Sequence, residues 1–404
     1  MKHVIILGDG MSDYPIPSLG GRTPLEAAYK PNMDFLARSG ECGLATTIPE
    51  GMSTGSDTAN LSVMGYDPAR FYTGRSPLEA VSMGIDLKPD DVTFRCNLVT
   101  LSEEADYRDC TMLDYSSGEI TSAEAEILIR DAARALCGEG MTLYPGISYR
   151  HCLVLSRAKT GTDCTPPHDI LTRRVADYLP QGRYAEILLD MMIRSRDILR
   201  DHPVNRDRIA RGLNPGSSLW LWGEGTRPAL PAFFELYGLT GAVVSAVDLI
   251  KGIGICAGLR SIDVEGATGT IDTNYMGKAD AAIEALRSGC DFVYVHIEAP
   301  DECGHHADIE GKVRSIELID REIVAPILTA LRDSGEDFTL MTLPDHPTPI
   351  SLRTHTRDSV PFALYRSWQT PDHPATGYSE ACAGETGLYV PSGVELMRRF
   401  VGKK

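Results

Sequence analysis

The chain has 404 residues, long enough to bury a substantial core and to fold as two or three domains. A net charge of −17, with no block of Lys and Arg, argues against a nucleic-acid or anionic-membrane partner. An acidic chain that handles an anionic substrate needs a local positive centre, either a metal ion or a few converging basic residues.

Elements follow in chain order. "HVIIL" (3–7) is a β-branched run ending at Gly8, too short an apolar core for a secretory signal. A helix is expected near Thr23-Pro24, and a second helical piece closes at Gly40 after "NMDFLARS". From about 90 to 230 the chain carries its own strands ("VTFRCNLVTL", "RHCLVLS", "SSLWLWG") and its own helices ("TSAEAEILIRDAARALC", "AEILLDMMIRSRDILRD"). Gly/Pro-rich stretches bound it, so a domain over 89–230 is expected to be inserted into a core made of 1–88 and 231–404. "GAVVSAVDLIKGIGICAGL" is interrupted by Asp248 and Lys251 and is no membrane span; its "KGIGICAG" is neither a dinucleotide nor a P-loop signature, so no nucleotide cofactor is expected. "DFVYVHI" (291–297) and "DFTLMTL" (337–343) read as buried strands. Between them Val313, Ile316, Ile319, Ile323, Ile327 and Leu331 fall at helical spacing. This alternation predicts an α/β core with a largely parallel sheet and a right-handed crossover. Ten scattered cysteines without a C-x-x-C pair read as reduced thiols of a cytoplasmic protein.

Chemistry concentrates near the end. "IEAPDECGHHAD" (297–308) holds four acids and two adjacent histidines, and five of the ten histidines (His296, His305, His306, His346 and His355) lie within 296–355. Asp9, Asp301 and Asp345 each follow the C-terminal end of a predicted parallel strand, the edge where open α/β sheets bind ligands. A lone acid there is usually a turn or cap residue, but independent caps have no reason to converge. The acids with His305, His346 and His355 form a nitrogen/oxygen donor set suited to Mn²⁺, Zn²⁺ or Mg²⁺, and sufficient for two ions. In "GMSTGSDTANLSVMGYDP" (51–68), Ser56 could place a hydroxyl where helix N–H groups favour phosphate. It could equally be a plain N-cap, as could Thr54, and the local sequence favours that slightly. Arg150, Arg208 and Lys278 could hold a carboxylate or phosphate, although most isolated cations are solvated.

With "ILGDGM", "TGSDTANLSVMGYDP", "YTGRSPLEA", "FRCN", "IEAPDECGHHAD", "PDH" and "THTRDSVPF" in order along essentially the whole chain, the sequence resembles the archaeal-type branch of the cofactor-independent phosphoglycerate mutases, within the alkaline phosphatase superfamily. The resemblance implies an α/β/α core with an inserted lid, and interconversion of 3-phosphoglycerate and 2-phosphoglycerate without 2,3-bisphosphoglycerate. It implies Ser56 as the phosphoryl acceptor, Lys278 beside the phosphoserine, and two divalent ions, Mn²⁺ before Zn²⁺ or Mg²⁺. Asp9, Ser56, Asp345 and His346 would hold one ion, and Asp301, His305 and His355 the other. The lid would supply cations for a small phosphorylated carboxylic acid; Arg150 and His151 are the first candidates, with Arg208 a further one. One departure stands out. Where the mutases typically carry an arginine-bearing "RGxG", this chain has "LWLWGEG", with Trp222 in the arginine's place. That version resembles bacterial relatives proposed to be homoserine kinases, so a phosphotransferase acting on another small hydroxyl compound is the alternative. A metal-binding protein without activity is the third reading.

Overall fold

The structure is a computed structural model and describes residues 1–402. It divides into two compact units. Met1–Tyr72 with Ala229–Lys404 forms the first, and Thr73–Pro228 the second, so the second is inserted into the sequence of the first. The junctions fall at 72/73 and 228/229, against the expected 88/89 and 230/231. The shift at the first junction has a local cause: the helix Ser76–Ser82 packs on the second unit's strands Val92–Leu101 and Ser218–Thr226.

The first unit is built on an eight-stranded sheet. Its order is Arg260–Ile262, Gly241–Val244, Phe292–Ile297, Lys2–Gly8, Phe338–Leu343, Val360–Arg366, Glu41–Ala45 and Tyr389–Val390. Only Val360–Arg366 runs antiparallel to its neighbours. The central strands read as unbroken apolar runs because both faces are covered. On one face Val4, Ile6, Val293, Val295 and Leu340 join a core with Ile316, Ile319 and Ile327 of the long helical segment. On the other, Phe400 meets His3 and Phe292 edge-on. In register, Leu7 lies between His296 and Leu343, so the three strands finish side by side.

Thr23 caps Pro24–Ala27 with a capping box, and Pro31–Ser39 follows, as the sequence suggested. The long helix is not uniform. Ile309–Ile319 passes through a π turn at Asp320–Val324 into Ala325–Asp333. Pro326 lacks the N–H that would continue the ladder, and the wider turn absorbs that loss. It also aims Asp320 at the neighbouring helix start, where Asp320 accepts from Met33 N at 2.7 Å and Asn32 Nδ2 at 2.8 Å.

The second unit has an antiparallel sheet centred on Val92–Leu101, every residue of which is buried. Arg150–Leu155 and Ser218–Thr226 flank it, and the helices Ser122–Leu136 and Ala185–Leu199 cover it. All ten cysteines are free thiols, and no helix among the described residues is long and apolar enough to cross a membrane.

Candidate metal centre and nucleophile

Because three parallel strands end together, the loops that leave them converge. Asp9 follows Lys2–Gly8, Asp301 sits in the helix Ala299–His306 after Phe292–Ile297, and Asp345-His346 follows Phe338–Leu343. Asp345 is held by three donors: Gly10 N (3.1 Å), His346 N (2.9 Å) and Asn60 Nδ2 (2.9 Å). Gly10 adopts φ +61°, and a Cβ there would come within 2.7 Å of Asp301 Oδ1 and 2.5 Å of Thr348 Oγ1. Only glycine allows the loops to approach this closely. Lys312, fully buried, ties the same loops together by donating to Asp13 Oδ2 (2.8 Å), Thr348 O (2.8 Å) and Ser12 O (3.2 Å).

Two donor groups result. Asp9, Asp345 and His346 form one and are all buried; His346 Nε2 lies 3.3 Å from Asp345 Oδ2 and 3.6 Å from Asp9 Oδ1. Asp301, His346 and His355 form the other, with His305 adjoining. Asp301 is 3.2 Å from His305 Nε2 and 3.3 Å from His355 Nε2, and those two nitrogens are 2.9 Å apart. Each ring is fixed by its other nitrogen: His305 Nδ1 donates to Arg353 O (3.0 Å) and His355 Nδ1 to Thr54 O (2.7 Å). Were a cation to take the place of the Nε2 protons, that orientation would aim both Nε2 atoms at it, the arrangement found where histidine ligates metal.

The electrostatics of the two groups differ. Burial and the neighbouring carboxylates of Asp345 and Asp301 push Asp9 well above the usual carboxylate range. Asp9 Oδ1 is buried with no hydrogen-bond partner among the described residues. Burial would raise Asp301 too, but hydrogen bonds from His305 and His355 outweigh it and hold Asp301 well below the usual range. An orphaned carboxylate oxygen among buried acids, beside histidines whose Nε2 atoms face inward, fits a divalent cation.

Ser56 is not the N-cap that its local sequence slightly favours. Gly55 occupies that position without a side-chain cap, and Ser56 opens the helix Ser56–Val63. Its hydroxyl is thereby free to lie 3.1 Å from His346 Nε2, at the positive end of the helix. Lys278 is buried on the helix Tyr275–Arg287, its amine 3.3 Å from His296 O. Burial lowers that amine to about 8, with Glu298 opposing the shift. His306 stays at the rim, 3.8 Å from Glu302.

The residues expected to meet substrate, all in the second unit, fare unequally. Arg150 is exposed, its guanidinium over the Tyr149 ring at 5.2 Å. His151 is buried and accepts from Gly146 N at 3.0 Å, and burial lowers it to about 3. Arg208 spends its donors internally, on Glu124 (2.6 Å), Asn214 O (2.9 Å) and Ser117 O (2.7 Å). All three guanidinium nitrogens of Arg208 are thus engaged within the second unit, and the side chain is 2% exposed.

Two supporting residues were given no role in the sequence analysis. Asn60 bridges Ser56 O and Asp345 Oδ2, both at 2.9 Å, and its Oδ1 accepts from Tyr294 OH at 2.7 Å. The signal was available, since Asn60 lies one helical turn beyond Ser56 on the same face. His296 contacts Asp9 Oδ2 at 3.0 Å and Ser245 Oγ at 3.3 Å, and it is neutral because burial lowers it to about 3. It was counted among the clustered histidines but given no place.

Residues 37–205 match the model of the 2,3-bisphosphoglycerate-independent phosphoglycerate mutase family. A protein of that name from Methanothrix thermoacetophila is 53% identical over 99% of this chain and all of its own length. One from Methanosarcina barkeri is 50% identical over both full lengths. Among solved structures, a protein from Pyrococcus horikoshii superposes with a TM-score of 0.83 at 30% identity, over 100% of this chain and 98% of its own. The cofactor-independent phosphoglycerate mutase of Thermoplasma acidophilum gives 0.66 at 27% identity, over 100% and 99%. With near-identical length and half of its residues shared with such relatives, the chain belongs to the family of 2,3-bisphosphoglycerate-independent phosphoglycerate mutases.

Proposed function

We propose that this chain interconverts 3-phosphoglycerate and 2-phosphoglycerate without 2,3-bisphosphoglycerate, by way of a phosphoserine at Ser56. The observation that carries this reading is the Ser56 hydroxyl, 3.1 Å from His346 Nε2, at a helix N-terminus beside two acid–histidine groups. Asp9, Ser56, Asp345 and His346 are assigned to one divalent ion, and Asp301, His305 and His355 to a second; His346 is close enough to both groups to serve either. The nitrogen/oxygen set suits Mn²⁺ first, with Zn²⁺ or Mg²⁺ as alternatives. Such ions, when bound, lower the pKa of a serine hydroxyl and offset charge on phosphoryl oxygens.

The remaining steps belong to the protein. Ser56 Oγ attacks phosphorus in line, the bond from phosphorus to the glycerate 3-oxygen breaks, and a proton moves from Ser56 to that oxygen. Glycerate then turns, and its 2-hydroxyl takes the phosphoryl group back, returning a proton to Ser56. Lys278, with its amine lowered to about 8, is assigned as the proton carrier, because a buried amine in that range can give and take a proton near neutrality. Water must be excluded during the reorientation, or the phosphoserine would hydrolyse. The second unit is assigned as the substrate-binding lid, and the cytoplasm as the compartment, in keeping with ten free thiols.

The homoserine alternative rested on Trp222 alone. In the structure the indole Nε1 donates to Asn97 Oδ1 at 2.9 Å, and the Arg95 guanidinium lies 4.2 Å above the ring. A cation is thus present at that position although Trp222 itself is neutral. Phosphorus NMR of 3-phosphoglycerate with the purified protein and Mn²⁺, without 2,3-bisphosphoglycerate, should show 2-phosphoglycerate appearing. Its absence with Mn²⁺, Mg²⁺ and Zn²⁺ alike would overturn the reading.

A further inference from the structure

Four neighbouring parallel strands of the first unit finish at the same sheet edge, and three of them lead into the acids of the site. The fourth, Gly241–Val244, leads into Ser245. Its register sets Val244 beside Val295, so Ser245 stands next to His296. On the other side of that strand Leu7 pairs with His296, and Asp9 N donates to Ile297 O at 2.8 Å. Ser245, His296 and Asp9 thus form a row across three strand ends, and all three are buried.

The direction of each hydrogen bond in the row follows from its first member. Ser245 Oγ accepts from Val247 N at 3.0 Å, and His296 Nδ1 at 3.3 Å is the acceptor that its own hydrogen meets. Leaving that hydrogen unpaired in a buried row is unfavourable, and a proton on Nδ1 would put two hydrogens between ring and hydroxyl. Nδ1 is therefore the acceptor, and the ring proton sits on Nε2. From there His296 donates to Asp9 Oδ2 at 3.0 Å. The backbone of His296 is held as well, since its carbonyl accepts from Lys278 Nζ at 3.3 Å.

Asp9 is left with one oxygen to offer a cation. Oδ2 is committed to His296, whereas Oδ1 has no partner among the described residues and lies 3.6 Å from His346 Nε2. A single carboxylate oxygen beside an imidazole nitrogen suits Mn²⁺ or Zn²⁺. Ca²⁺ gathers more oxygens and often takes both from one carboxylate. We infer that His296, oriented by Ser245, is a positioning residue that restricts Asp9 to one-oxygen coordination and so selects Mn²⁺ over Ca²⁺ at this centre. This rests on the assignment of Asp9 to a divalent ion in the function proposed above. It also gives the fourth strand end a task, although that strand supplies no ligand itself.

The test uses the full-length protein, stripped with chelator and titrated by calorimetry with Mn²⁺ and, separately, with Ca²⁺. His296→Leu removes the donor, whereas His296→Gln keeps a side-chain N–H close to the place of Nε2. His296→Leu should weaken Mn²⁺ about 10- to 100-fold, the range for groups that orient metal ligands, and change Ca²⁺ by no more than about threefold. His296→Gln should stay within about threefold of the unsubstituted protein for both ions. Ser245→Ala should fall between, because the ring is then free to move its proton to Nδ1. Nitrogen NMR of the metal-free, histidine-labelled protein gives a second readout, with the His296 signals assigned by their loss in His296→Gln. They should show the proton on Nε2, and a mixture of tautomers in Ser245→Ala. General loosening of the site would weaken both ions alike. Equal losses of Mn²⁺ and Ca²⁺ in His296→Leu, a His296→Gln protein as weak as His296→Leu, or a proton on Nδ1 in the unsubstituted protein would overturn the assignment. Should His296→Leu not fold, the tautomer and the Ser245→Ala titrations decide. Failure of the mutase reading looks different: 3-phosphoglycerate would not turn over, while the Mn²⁺ preference and the His296 tautomer would persist.

Discussion

The acid–histidine edge of the first unit and the arginine-bearing face of the second solve opposite problems with charge. At the sheet edge, carboxylates are buried against one another. Asp9 is driven well above the usual range by burial and by Asp345, and one of its oxygens is left without a partner. At Arg95, burial lowers the guanidinium to about 10, yet Glu79 opposes that shift and the group stays charged at neutral pH. The first region is electrostatically incomplete within the protein itself, whereas Arg95 already has a carboxylate partner in Glu79. The lesson is that the edge should depend on added cations for its order and the Arg95 face should not.

The largest effect should come from the nucleophile. Ser56→Ala removes the only atom proposed to carry the phosphoryl group, so mutase turnover should fall by at least about a thousandfold. Binding of 3-phosphoglycerate should survive, since the acid–histidine groups remain in place. Retained turnover, followed by phosphorus NMR, would place the covalent step elsewhere. Next comes the cation dependence itself. A ligand that binds only the folded state adds about 2.7 kcal/mol at a hundredfold excess over its Kd. Adding Mn²⁺ to chelator-treated protein should therefore slow hydrogen exchange in 297–308 and 345–355. Exchange in 92–101 should not change. Equal protection of both regions, or of neither, would break the comparison.

A third step tests how the edge is held. Asn60→Ala cuts the link between the Ser56 helix and Asp345 and leaves Tyr294 OH without its acceptor. Residues that orient metal ligands from behind are worth about 10- to 100-fold in affinity. Mn²⁺ titration of Asn60→Ala should show a loss of that size. Unaltered Mn²⁺ affinity would reduce Asn60 to a helix-packing role.

The two regions also differed in how far they could be read from sequence. Asp9, Asp301 and Asp345 were legible because each follows an apolar run that must be a strand, and neighbouring parallel strands bring their ends together by topology. His305 and His355, fifty residues apart, became partners only through the family resemblance; nothing local links "GHH" to "THT". Arg95 was illegible. Its strand reads as one apolar run, and an arginine there looks like an interruption until the bulge at Gly223 and the platform of Trp222 are seen. The surroundings of Arg208 and His151 were hidden for the converse reason, since an isolated cation in sequence gives no hint that its guanidinium turns inward or that its ring is buried. The π turn at Asp320 was hidden likewise, because a wide turn keeps the hydrophobic spacing nearly unbroken.

The smallest effect is on stability and returns to the edge from behind. Lys278 is buried with its amine lowered to about 8 from 10.5, chiefly by desolvation, while Glu298 pulls the other way. Between about pH 8 and pH 10.5 the unfolded chain therefore binds more protons at this residue than the folded one. Stability contributed by Lys278 should rise with pH through that window, and below it the cost of burying the ammonium should be fully present. Lys278→Met removes the cost. Denaturant melts of Lys278→Met against the unsubstituted protein should show the variant more stable at pH 7, by about 1–3 kcal/mol. The gap should close as pH rises towards 10. A gap that is constant with pH, or of opposite sign, would mean that Glu298 fully compensates the buried ammonium. In that event the first unit would hold one charge as well balanced as the Arg95–Glu79 pair, and its dependence on cations would be confined to the carboxylates of Asp9 and Asp345.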